Sequence, residues 1–135
     1  LLSGRYPGRF GPQALAPSNL RALPSGTETL ASWLRSRGYG TYQSGKWHLG
    51  SRVEWGPLHY GFDHAYETLT GAADPWTHKY RRGPYEDTWH RDHQMLRSEG
   101  NATELVAEEA RKRLKESPQP WFIYVPFHAV HTPVD

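Results

Sequence analysis

A chain of 135 residues is long enough to bury one core, and a composition that is 36% apolar and 13% aromatic is not that of a disordered segment. Sixteen basic residues against 14 acidic ones leave a net charge of +2, too balanced for the concentrated basic face that grips nucleic acid. Cysteine is absent, which excludes both a disulfide framework and a thiol nucleophile, and no apolar run approaches the roughly 20 residues of a membrane span.

Leu1-Leu2-Ser3-Gly4 reads as the last turn of a helix closed by a glycine stop, so the sequence is expected to be a piece cut at both ends, with no signal peptide in it. Gly8 to Pro24, rich in Pro, Gly and Ser without periodicity, predicts a surface loop. Ser25-Gly26-Thr27-Glu28 has the form of a capping box. It predicts a helix of about three turns with Leu30, Trp33 and Leu34 as its apolar stripe and Gly38 as its stop. Tyr39 to Lys46 reads as a strand leading into Gly45-Lys46-Trp47-His48-Leu49-Gly50.

Residues 51 to 100 predict loops, with short strands near Ala65-Tyr66 and Thr88-Trp89-His90, and the short basic cluster Lys79-Tyr80-Arg81-Arg82 reads as a solvated loop. Thr103 to Lys115 predicts a second helix, since Val106, Ala110 and Leu114 recur every fourth residue and acidic residues precede basic ones along the dipole. After Ser117-Pro118-Gln119-Pro120, the apolar run Trp121-Phe122-Ile123-Tyr124-Val125 predicts a strand buried on both faces. Two helix-then-strand units make the fold class α/β, a mostly parallel sheet flanked by helices with a loop-rich middle.

Ligands of open α/β sheets bind beyond the carboxyl ends of the strands, and both main predicted strands end in histidine-bearing loops. If the backbone stays extended, Lys46 and His48 share one face and Trp47 turns away into packing. An ammonium beside an imidazole suits an oxyanion of sulfur or phosphorus. His128 and His131, three apart, could join His48 in a transition-metal site, but no fourth ligand is evident, so the metal reading is set aside and His128 is read as unliganded. His59, His64, His78, His90 and His93 read as surface or packing residues, with His78 and Trp76 as candidates for a substrate cleft. Asn101-Ala102-Thr103 is a glycosylation sequon, and either Asn101 or Thr103 serves equally well as the cap of the helix that follows.

Gly38-Tyr39-Gly40-Thr41-Tyr42-Gln43-Ser44-Gly45-Lys46-Trp47-His48 resembles, over its whole length, the second sulfatase signature Gly-Tyr-x-Thr-x-x-x-Gly-Lys-Trp-His. Leu1-Leu2-Ser3-Gly4-Arg5 is similar to the tail of the first signature, Cys-x-Pro-Ser-Arg-x-x-Leu-Leu-Thr-Gly-Arg, with Ser3 in place of Thr. Gly61-Phe62-Asp63 and His128-Ala129-Val130-His131-Thr132-Pro133 fall where the family has Gly-Phe-Asp and Val-His-x-Pro. The chain is thus identified as a fragment, residues 1–135, of one sulfatase catalytic domain of the alkaline-phosphatase-like superfamily, most like the arylsulfatase B group.

The resemblance implies sulfuric ester hydrolysis by a formylglycine nucleophile lying upstream and made by the formylglycine-generating enzyme. A calcium ion would be held by Asp-Asp and Asp-Asn pairs that have no counterpart here, and the fragment alone is expected to be inactive. By the same resemblance, Lys46 would bind a sulfate oxygen and the formylglycine, His48 would hydrogen-bond the formylglycine and assist sulfate elimination, and His131 would contact sulfate near the leaving oxygen. The substrate would be a sulfated small molecule or glycan, and the compartment extracellular, lysosomal or periplasmic. The rival readings are a phosphatase or phosphotransfer enzyme of the same superfamily and a non-catalytic module that binds sulfated glycans.

Overall fold

The computed structural model describes residues 1–14, 20–80 and 87–131. Part of the predicted Gly8–Pro24 loop, Arg81 and Arg82 of the basic cluster, and Thr132 and Pro133 of the last motif lie outside them. Among the described residues, five strands form one mixed sheet in the order β4-β3-β2-β1-β5, made of β1 (Gly40–Lys46), β2 (His64–Thr68), β3 (Trp89–Arg91), β4 (Gln94–Met95) and β5 (Trp121–Tyr124). β1 runs parallel to β2 and to β5, while β2–β3 and β3–β4 are antiparallel. The α/β class is as expected, and the three parallel strands direct their carboxyl ends to the same side.

The sheet separates two apolar clusters. On one face Trp47, Phe62, Leu69, Tyr60, Ala31, Leu23 and Leu2 are buried together, with Phe122 and Tyr124 packed on them. On the other face Tyr66 and Trp89 meet Ala102 and Val106 of α2 (Ala102–Glu116), and the buried Ser44 hydroxyl donates to the Val106 carbonyl at 2.9 Å. The period of two along β1 therefore sends Tyr42, Ser44 and Lys46 toward the α2 face and Gln43, Gly45 and Trp47 toward the other.

Several expectations are corrected. α1 is Leu30–Arg35, under two turns, and its capping box is Thr29 with Ser32 rather than Ser25 with Glu28. The buried Thr29 hydroxyl is anchored to the Tyr60 carbonyl at 2.5 Å and the Leu30 N–H to the Leu2 carbonyl at 2.7 Å, and these tertiary bonds fix where the helix begins. Of the predicted stripe, Leu30 and Trp33 are exposed and the residue that packs is Ala31. Leu1 to Gly4 is a single turn, in which the Gly4 N–H donates to the Leu1 carbonyl. The loop-like segments near Pro7–Phe10, Pro12–Ala14, Val53–Trp55 and Pro57–Tyr60 wind into short 3-10 turns. β5 is only half-buried along its length, because it forms an edge of the sheet rather than a central strand.

Candidate active site at the strand ends

Lys46 is the last residue of β1, and its register partner on β2 is Thr68, so the two side chains stand next to each other on the α2 face. Beyond Lys46 the chain does not remain extended. Trp47 enters the core, where its Nε1–H donates to the Trp55 carbonyl at 2.7 Å, and His48 adopts a left-handed conformation with φ 56°. That corrects the expectation of an extended Lys46-Trp47-His48. A non-glycine residue held there is strained by roughly 1 kcal/mol and persists because its surroundings hold it. The holding bonds are the N–H groups of Trp47 and His48, which donate to the carbonyls of Thr68 and Leu69.

Two glycines make this geometry possible. A Cβ on Gly45 would overlap the Pro126 carbonyl oxygen, which accepts the Lys46 N–H at 2.8 Å and ties the loop after β5 to the end of β1. A Cβ on Gly71 would overlap the His48 ring, which lies directly over that glycine.

From β5 the chain delivers His128 and His131, with the His131 N–H donating to the His128 carbonyl at 2.8 Å. The His128 Nε2 lies 2.6 Å from the Thr68 hydroxyl oxygen, and the ring is stacked near-parallel to the buried Trp89 at 6.5 Å and 24°. Burial pushes the His48 imidazole below its ordinary pKa, and the charges of Lys46 and His131 push in the same direction. Burial likewise lowers His128, to about 4, with Lys46, His131 and His78 adding to the effect. Lys46 and His131 thus act on both imidazoles, which places one ammonium and three imidazoles within Coulombic reach of one another. Burial also lowers Lys46 itself. Such a site gathers an ammonium and imidazole nitrogens, and an oxyanion suits it.

A sequence model of the Sulfatase family matches residues 1–135. This chain belongs to the sulfatase family. Mouse arylsulfatase J is 30% identical over 148 residues, covering 98% of this chain and 24% of that protein. Human N-acetylgalactosamine-6-sulfatase is 29% identical over 154 residues, covering 99% of this chain and 30% of that protein. The crystal structure of Ps i-CgsB superposes with a TM-score of 0.84 at 24% identity, over 98% of this chain and 33% of the other, a likeness of fold. The chain therefore spans about a quarter to a third of the length of these relatives.

Within this sulfatase chain Thr41, Gly61 and Asp63 of the motifs serve the fold. The buried Thr41 hydroxyl donates to the Gly61 carbonyl at 2.8 Å, and the Asp63 carboxylate accepts from the Thr41 N–H at 3.0 Å and pairs with Arg35 at 2.7 Å. These bonds lock the amino end of β1, opposite the site. His78 is 4% exposed, its Nε2 lies 2.9 Å from the Gly100 carbonyl oxygen, and it packs on Trp89 at 4.5 Å. With the exposed Trp76 it lines a cleft of about 330 Å³ that Thr88, Trp89, Arg97 and Glu99 also border. His59, His64 and His93 are exposed, and His90 is buried with its Nδ1 at 2.8 Å from the Thr88 carbonyl oxygen. Asn101 is buried and caps α2, its Oδ1 accepting the Thr103 N–H at 2.9 Å.

Thr68 and Gly71 escaped the sequence reading, because a threonine and a glycine after a short strand carry no chemical signal of their own. The signal that finds them is register, through the Lys46–Thr68 pairing. Among the described residues no group of three or more His, Cys, Asp or Glu side chains is arranged to hold a metal ion. The strand-end cluster offers nitrogens and an ammonium, whereas a hard cation such as calcium takes six to eight oxygens, so these residues do not fit one. No membrane-spanning helix occurs among the described residues.

Proposed function

We propose that this chain is part of a sulfatase catalytic domain that hydrolyses sulfate esters, and that it supplies the residues that hold and polarise the sulfate group. The observation that carries this reading is the convergence of Lys46, His48 and His131 at the carboxyl ends of parallel strands, where Lys46 and His131 both bear on His48. The attacking group would be a formylglycine outside these 135 residues, a modification that supplies a hydrated aldehyde as nucleophile and requires the formylglycine-generating enzyme as partner. Any calcium would be held by residues elsewhere in the same protein.

Within the chain, Lys46 is the point charge for a sulfate oxygen and for the nucleophile. His48, held neutral by burial and by its cationic neighbours, is suited to accept a proton as sulfate is eliminated. His131 reaches the leaving oxygen. Donors fixed before reaction stabilise the charge that develops during transfer, which is the larger part of their effect. Sulfated sugars are the substrate class. The name of the N-acetylgalactosamine-6-sulfatase relatives supports it, as does an exposed indole at Trp76, with His78 behind it as a wall of the same cleft. An extracellular, lysosomal or periplasmic setting goes with that class.

The test is an assay of the intact enzyme carrying this chain, and of the 135 residues alone, on an aryl sulfate and a 6-sulfated sugar. The intact enzyme is expected to turn over and His48→Ala to abolish most of that activity, while the isolated chain is inert. Phosphate-ester turnover in place of sulfate-ester turnover, or sugar binding without turnover, would sink the reading. So would an isolated chain as active as the whole.

A further inference from the structure

The Thr68 hydroxyl is fully buried, and its one partner among the described residues is the His128 Nε2 at 2.6 Å. A buried hydroxyl must place its single proton on an acceptor. Here the acceptor within reach is Nε2. If Nε2 carried the proton instead, the Thr68 hydrogen would be buried with nothing to receive it. The bond therefore runs from Thr68 to His128, and the proton of the neutral imidazole sits on Nδ1. The low pKa of His128 agrees, since a doubly protonated ring would face Lys46, His131 and His78.

Nδ1 has no partner among the described residues, and it is not one of the buried unpartnered atoms, which are Gln43 Oε1, Glu67 Oε2 and Trp89 Nε1. It is thus an N–H left uncommitted by the described residues. Its ring plane is set from two directions, by the 2.6 Å bond to Thr68 and by the stack on Trp89, itself backed by His78 at 4.5 Å. The register pairing sets Thr68 beside Lys46, and the ring that Thr68 holds feels the Lys46 charge.

We propose that His128 is a further substrate-contacting residue: with Nε2 committed to the Thr68 hydroxyl, its Nδ1–H is a pre-oriented hydrogen-bond donor for an oxygen of the bound sulfate ester. Thr68 is its positioning residue. The assignment rests on the sulfatase reading and adds a fourth group to Lys46, His48 and His131.

The test uses the intact enzyme in two measurements. Nitrogen-15 spectra of labelled histidine should show, at the signal lost in His128→Asn, a protonated Nδ1 and an unprotonated Nε2, and Thr68→Val should shift that signal toward the other tautomer. In steady-state kinetics on an aryl sulfate, His128→Ala should lower kcat/KM about 100-fold, the scale of one lost oxyanion donor. His128→Asn, whose amide N–H overlies Nδ1, should recover most of that loss. Thr68→Ser should behave as wild type, and Thr68→Val should lose about tenfold in kcat. A protonated Nε2 in the wild type overturns the proposal, as does His128→Ala with unchanged kinetics in an enzyme that still depends on His48. An intact enzyme with no sulfate-ester turnover refutes the sulfatase reading and this assignment with it, whereas the two outcomes above overturn the assignment while leaving that reading in place.

Discussion

The His48 ring occupies the space a side chain at position 71 would fill, so the placement of one imidazole is set by the lack of a side chain on another residue. Gly71→Ala places a methyl group on the Nε2 edge of the imidazole, and since that ring is the more mobile partner it must swing away. Misplacing a reacting group by about 1 Å is enough to lose about 100-fold in rate. In the intact enzyme Gly71→Ala is accordingly expected to lower kcat by about that factor while the thermal midpoint moves little, as kinetics and a melting curve together would show. At this scale the placement of Lys46, His48 and His131 beyond the strand ends was legible, because the Gly-Lys-Trp-His and Val-His-x-Pro stretches carry them as a pattern. Thr68 and Gly71 were not, because their importance comes from what lies across the sheet from them. Even for His48 the local expectation was wrong in form: an extended backbone was expected, and hydrogen bonds from Trp47 and His48 to the carbonyls of Thr68 and Leu69 hold it left-handed instead.

At the level of elements, β2 carries a second buried polar group with no assigned task. Glu67 is fully buried, its register partners are Gly45 on β1 and His90 on β3, and its Oε2 has no partner. The Gln43 amide donates to the Gly45 carbonyl at 3.1 Å, and its Oε1 is likewise buried without a partner among the described residues. Burial, with the Asp92 charge adding to it, raises the Glu67 carboxyl well above 4.5. The folded chain then holds a proton that the unfolded chain releases, so the contribution of this one carboxyl to stability is fully present below pH 4.5 and is lost as pH rises through its folded pKa. Glu67→Gln keeps the shape without the titration. It is expected to flatten that decline and to gain about 1 to 3 kcal/mol on its alkaline side, measured by denaturant melts across pH. Asn101→Ala should lose about 1 kcal/mol through the α2 cap, with Asn101→Asp close to wild type, and a glycan at Asn101 would reveal itself as a mass change on glycosidase treatment. Helix α2 and strands β1 and β5 were legible because periodicity and apolar runs are local. The start of α1 was not, since a threonine hydroxyl bonded to a carbonyl thirty-one residues away overrode the nearer capping pattern.

For the molecule as a whole, the decisive feature is the unequal treatment of the two sheet edges. β4 ends one side with two exposed residues, too short to template another strand. β5 ends the other with Trp121-Phe122-Ile123-Tyr124, all apolar or aromatic and all only half-buried. One face of it is held by Phe62, which stacks on Phe122 at 6.2 Å and on Tyr124 at 6.4 Å, while its outer backbone edge has no neighbouring strand among the described residues. The reading of this run as a strand buried on both faces follows naturally from composition. In the structure the run lies at the sheet edge and is half-buried throughout. An apolar edge of this kind invites pairing with a second copy. The isolated chain is therefore expected to self-associate, its scattering mass rising with concentration in the micromolar range, whereas the intact enzyme keeps β5 covered and shows no such rise. A monodisperse, cooperatively melting monomer of the isolated chain would show instead that the β5 edge is tolerated as it stands.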